Sequence, residues 1–171
     1  NAKVENGKLV LTKKFAATRD VEKTPNAAID YKSEKLTDLV KGSTYIIEGK
    51  EYKTASNGTT ISIPDAWFGK TISIVKKGTN KTDDSYAQML KIPSRPDAPT
   101  RKLKIKATKS KVEVTNADDY NKCEFSMDKS DWQNSGTFKG TFKNGKTYTV
   151  YVREKATSKN FASKPAYKEF E

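Results

Sequence analysis

The chain has 171 residues, a net charge of +12 from 33 basic and 21 acidic side chains, and only 34% apolar residues. It contains no histidine and a single cysteine, which excludes Ser-His-Asp and Cys-His catalytic groups, histidine-ligated metals, thiolate clusters and an internal disulfide. No apolar run approaches the roughly 18 residues that a membrane-spanning helix needs. Leu, Ile, Val and Phe together supply 31 of the 171 residues, a share typical of disordered chains, but 8 Tyr, 7 Phe and 2 Trp oppose that reading, because disordered chains are poor in aromatics. The balance predicts a folded chain with thin hydrophobic cores, two small ones in preference to one large one.

Helical periodicity is missing along the chain and period-2 alternation dominates, which predicts an all-β fold. Residues 1–26 read as a strand or as the remnant of a preceding repeat, with a weak boundary at Pro25. In residues 27–94, Ile61 and Ile63, then Ile72 and Ile74, alternate with polar neighbours, and Asn57-Gly58 is a hairpin-turn candidate. Pro93, Pro96 and Pro99 follow within seven residues. Proline fixes φ and removes a backbone donor, so residues 95–99 are expected to form a stiff, extended linker.

Beyond the linker, Leu103, Ile105 and Ala107 alternate with Lys102, Lys104 and Lys106, and Val112 and Val114 follow a Lys109-Ser110 turn. Cys123, Phe125 and Met127 oppose Glu124 and Ser126, Asn144-Gly145 is a second hairpin-turn candidate, and Val150 and Val152 alternate with Thr149 and Tyr151. Turn signals roughly 8–12 residues apart have the spacing of a sandwich or a barrel, and the expectation is two tandem antiparallel β-sandwiches, residues 27–94 and 100–171. Gly42-Ser43-Thr44-Tyr45 matches Gly145-Lys146-Thr147-Tyr148, an internal repeat that places the two tyrosines at equivalent positions and presents the chain as a piece of a longer tandem array.

Candidate functional residues divide by chemistry. Arg101, Lys102, Lys104, Lys106, Lys109 and Lys111 crowd one hairpin, in a segment (100–171) with 16 basic and 9 acidic residues. Alternation puts Lys102, Lys104 and Lys106 on one solvent face. That stripe suits a polyanion, or equally an edge strand protected by lysine against edge-to-edge association. Nucleic acid is disfavoured, because the stripe lacks interleaved aromatics on which bases could stack. Trp67, Trp132, Tyr45 and Tyr148 read as framework: the tryptophans as core or turn packing, the tyrosines as hydroxyls bonded across to a loop. An exposed tryptophan stacking on a sugar is the competing reading. Asp83-Asp84 and Asp118-Asp119 lack the ligand pattern of a calcium loop and the cleft of a glycosidase, so no metal, cofactor or catalytic residue is expected. Cys123 reads as a small buried hydrophobe.

In residues 100–171 the set Tyr120, Cys123 to Asp128, Trp132-Gln133, Gly145 to Arg153 and Phe161 to Pro165 resembles fibronectin type III-like repeats. In residues 27–94, Ile29 to Tyr31, Gly42 to Ile47, Asp65 to Gly69, Thr71 to Lys76 and Ile92 to Pro96 resemble immunoglobulin-like repeats. Together they look like the tandem repeats of Gram-positive bacterial surface proteins and large secreted glycan-active enzymes. That resemblance implies an Ig-like sandwich followed by a fibronectin type III-like one, in a non-catalytic extracellular spacer or stalk of a cell-surface or secreted protein. Neighbouring repeats of the parent chain are then its partners. The alternative it implies is an adhesin module that binds anionic glycan, cell-wall polymer or host matrix through the lysine-rich face.

Overall fold

The structure is a computed structural model and describes residues 2–5, 8–11 and 18–171. Among the described residues the fold is all-β: no α-helix occurs, and Asp65–Trp67 and Ala117–Tyr120 are single 3-10 turns. In chain order the strands are β1 (Ala2–Glu5), β2 (Lys8–Leu11), β3 (Asp20–Val21), β4 (Ala28–Asp30), β5 (Lys35–Thr37), β6 (Thr44–Ile47), β7 (Lys50–Lys53), β8 (Ile61–Ser62) and β9 (Thr71–Lys76). They continue with β10 (Thr82–Asp83), β11 (Gln88–Lys91), β12 (Ile105–Ala107), β13 (Lys111–Val114), β14 (Cys123–Ser126), β15 (Thr137–Lys139), β16 (Tyr148–Glu154) and β17 (Ala166–Phe170).

The strands form small antiparallel sheets, ordered β4-β5-β8, β11-β9-β6-β7, β12-β13-β15 and β14-β16-β17, with β1 paired to β2 and a short parallel pairing of β3 with β10. Two hydrophobic clusters follow. The first takes Leu36 and Ile61 from one three-stranded sheet and Tyr45, Ile47, Ile72 and Ile74 from the four-stranded sheet. The second takes Val112 and Val114 from β13 and Phe125, Val150 and Val152 from β14 and β16. Alternation is the reason: in β6 and β13 every second side chain is buried, because successive side chains of a strand point to opposite faces.

Turn chemistry departs from the sequence expectation. Asn57-Gly58 and Asn144-Gly145 both lie between strands of different sheets, so neither closes a hairpin. A two-residue hairpin of the expected type needs positive φ at both central residues, and neither asparagine has it. That geometry occurs instead at Glu48-Gly49, with φ of 49° and 76°, joining β6 to β7.

The internal repeat also has a different register. Tyr45 stands on β6, which pairs with β7 and β9, whereas Tyr148 stands on β16, between β14 and β17. By pairing, β16 corresponds to β9. The equivalent segments are therefore Gly69-Lys70-Thr71 and Gly145-Lys146-Thr147, whose glycines have φ of 80° and 72°. Each correspondence ends in the same hydrogen-bonded serine. Ser85 Oγ accepts from the Lys76 amide at 2.8 Å, and Ser163 Oγ accepts from the Glu154 amide at 2.9 Å. Each serine amide donates back to the same partner's carbonyl, and each hydroxyl donates to the carbonyl of the next residue. Both serines are buried.

A Cβ placed on Gly145 meets nothing within 4 Å. Gly145→Ala is therefore expected to cost only its left-handed backbone, about 1–2 kcal/mol, read as a lowered urea midpoint at unchanged slope.

Candidate functional site

Two regions gather charged and aromatic side chains. One is the junction between the two clusters. It begins with a local turn: the Asp30 carboxylate accepts from the amides of Lys32 and Ser33 and from the Ser33 hydroxyl, bonds that hold it below the usual carboxylate range, the Ser33 hydroxyl contributing most. The turn presents Tyr31 and Glu34, the latter at φ 54°. Arg95, within the proline-rich stretch, donates from Nη1 and Nη2 to the two Glu34 carboxylate oxygens, each at 2.6 Å. Asp65 adds a longer contact of 3.6 Å. Such a two-pronged pair fixes orientation as well as charge.

Phe161 completes the junction. It belongs to the connection between β16 and β17, yet it is 1% exposed and sits in the first cluster. Its ring lies 4.8 Å from Tyr31 and 4.8 Å from Phe68, edge-on to the latter at 88°. The Arg95 guanidinium lies over the Phe68 ring at 4.1 Å. The Lys164 amide donates to the Pro96 carbonyl at 2.9 Å, and Lys164 Nζ reaches Asp97 at 3.2 Å. Arg95 and Phe161 were legible in the sequence only as framework residues. Nothing in their local pattern shows that they meet.

The other region is the outward face of β12, β13 and β15. Lys102, Lys104 and Lys106 are exposed while Leu103 and Ile105 turn to the second cluster. Asn116 ties residues 102–104 beside β13: its Nδ2 donates to the Lys102 carbonyl, and its Oδ1 accepts from the Lys104 amide. Lys106 stands opposite Glu113, and Lys111 stands opposite Lys139. Lys111 Nζ donates to Glu113 at 2.8 Å; with Lys106 nearby, this lowers the Glu113 pKa. Lys109 sits in the β12–β13 turn, closed by the Thr108 hydroxyl. Arg101 leaves this set: its guanidinium pairs with Asp119 at 2.8 Å, and its carbonyl accepts from the Tyr120 hydroxyl at 2.6 Å. Lys139 joins the face although sequence reasoning passed over it. Its signal was the alternation Thr137-Phe138-Lys139 around an inward Phe138.

The aromatic framework residues separate. Trp67 is buried in the first cluster, edge-on to Tyr52 at 5.3 Å. Trp132 is half-buried on the β14-β16-β17 side: its indole N–H donates to the Lys129 carbonyl, and Arg153 stacks on its ring at 3.9 Å while bonding Glu124 at 2.7 Å. The Tyr45 and Tyr148 hydroxyls accept from the amides of Val40 and Lys143, each five residues upstream. Cys123 is buried beside an open recess of about 560 Å³ lined by Asn134, Ser135 and Lys155; burial, then Glu154, pushes its thiol pKa up. Asp84 accepts from the Gly78 amide, and Asp119 from Arg101. Among the described residues no group of three or more Cys, Asp or Glu is placed to hold a metal ion.

No protein-family model and no curated protein matches the chain.

Tyr45→Phe orphans a part-buried amide and is expected to cost about 1–3 kcal/mol, against about 1 kcal/mol for Tyr148→Phe, whose partner faces water; paired urea melts read the difference. Cys123, protonated and buried, should react with a thiol reagent at neutral pH only at the rate of local opening, much slower than a free thiol.

Proposed function

We propose that the chain is a non-catalytic repeat module, a spacer or stalk of a bacterial cell-surface or secreted protein. On this reading residues 27–94 and 100–171 are two tandem β-sandwiches, Ig-like and fibronectin type III-like, and residues 95–99 are their linker. The sheet orders support it: each half has one sheet built on its first two strands and a second centred on β9 or β16, the arrangement of such sandwiches. The extracellular setting rests on the sequence resemblance.

The observation that carries the proposal is the junction. A spacer transmits position, so the link between its units must resist bending. Here a proline-rich segment is clamped by Arg95 on Glu34, while Phe161 crosses from one half into the core of the other. Prolines alone would fix φ but leave ψ free.

A second reading, a module adhering to anionic glycan, cell-wall polymer or host matrix, is favoured by the lysine face of β12, β13 and β15.

Phe161→Ala should lower the stability of the first core by about 3–5 kcal/mol, although residue 161 lies in the other half of the chain. Hydrogen exchange at the Leu36 and Ile72 amides reads this directly, and small-angle scattering should show a broader range of end-to-end distances in the variant. Wild-type scattering as broad as that of Phe161→Ala would overturn the rigid-spacer proposal.

A further inference from the structure

The sheet pairing turns the lysine hairpin into a two-dimensional array. On the outward face, Lys106 occupies β12 with Lys104 just ahead of it, Lys111 and Glu113 occupy β13, and Thr137 and Lys139 occupy β15; Lys106, Glu113 and Thr137 stand in register, as do Lys111 and Lys139. Spacings of about 6.7 Å along a strand and about 4.8 Å between strands lay the four ammonium groups on an oblique track crossing all three strands. One carboxylate, Glu113, serves four lysines, and it is already engaged by Lys111. Lys111 and Lys139 are direct cross-strand partners, and like charges so placed destabilise a sheet. Edge protection explains lysine on β12, which lies at the sheet border. It does not explain Lys111, because β13 is the central strand.

We propose that this face binds a sulfated polysaccharide, whose sulfate groups would neutralise Lys104, Lys106, Lys111 and Lys139 together. The proposal rests on the adhesive reading of the face and is independent of the spacer reading. Three features select the ligand. The outward positions of the three strands carry Lys, Glu and Thr and no aromatic ring, so a single-stranded nucleic acid would find nothing for its bases to stack on. The cations are all lysine: Arg101, the one guanidinium in the hairpin, is held away by Asp119. Lysine offers compact point charges and not the planar fork suited to paired phosphate oxygens. The face also spans three paired strands, which suits an extended chain laid across them.

The test is titration calorimetry of the whole chain with a heparin octasaccharide at about 0.15 M salt, where long-range surface attraction is screened. Single-stranded DNA and polyphosphate of equal charge serve as comparison probes. Saturable heparin binding is expected, at least about tenfold tighter than either comparison probe, with a log–log salt slope that falls by about one for each lysine removed. Lys139→Gln should weaken it several-fold, and Glu113→Gln, which removes the one competing anion, should strengthen it. Lys50, Lys53 and Lys91 lie on the other large sheet, and reversing their charge should change heparin affinity less than about twofold. Equal affinity for DNA or polyphosphate would overturn the proposal, and so would an equal loss from the distant reversals or no response to both Lys139→Gln and Glu113→Gln. The two single substitutions lie on solvent-facing positions of formed strands, so folding does not confound them. None of these outcomes bears on the Phe161 scattering test.

Discussion

Phe161 is the side chain on which the relation of the two cores depends. A buried phenyl ring is worth about 1.5–3 kcal/mol over an exposed one, and its edge-on contact with Phe68 adds about 0.5–1.5 kcal/mol. Arg95 makes the contact directional. It is tied to Glu34 by two bonds and lies over Phe68, so the ring that meets Phe161 edge-on is also held by the proline-rich segment. Without Phe161, Tyr31 and Phe68 would each lose an aromatic neighbour at 4.8 Å.

The two halves solve their attachments with the same backbone and opposite chemistry. In each, a hydrogen-bonded, buried serine, Ser85 or Ser163, terminates the loop after the central strand. Two residues before it stands Asp83 in the first half and Phe161 in the second. Asp83 receives the leading segment through polar contacts: its carbonyl accepts from the Glu22 amide, and Glu22 in turn takes Lys76 at 2.6 Å and Thr82 at 2.7 Å. Phe161 instead enters an apolar site. One loop position therefore serves as a polar dock in the first half and as a hydrophobic plug in the second.

What the sequence made legible follows from the range of each interaction. Alternation is local, so Val112 and Val114, or Ile72 and Ile74, announce their strands and their inward faces. Asn-Gly is a local signal too, but it describes a turn and not the sheets on either side, so Asn57-Gly58 and Asn144-Gly145 suggest hairpins although they lead from one sheet to another. The repeat Gly-x-Thr-Tyr matched letters, while the structure matched positions: Gly-Lys-Thr before β9 and β16, each glycine left-handed. The lysine face was half visible, because Lys104 and Lys106 alternate locally in the sequence, whereas Lys139 reaches the face only through the pairing of β13 with β15. Phe161 against Tyr31 was invisible, since no pattern links residues so far apart in sequence.

The junction also sets an order in time. A chain synthesised from its amino terminus contains every other residue of the first cluster once Ile92 has been made, but Phe161 follows only about 70 residues later. Until then the first half must fold with Tyr31 and Phe68 uncovered. It closes only when the last hairpin of the second half has formed, so the emerging first half carries an apolar spot open to chaperones.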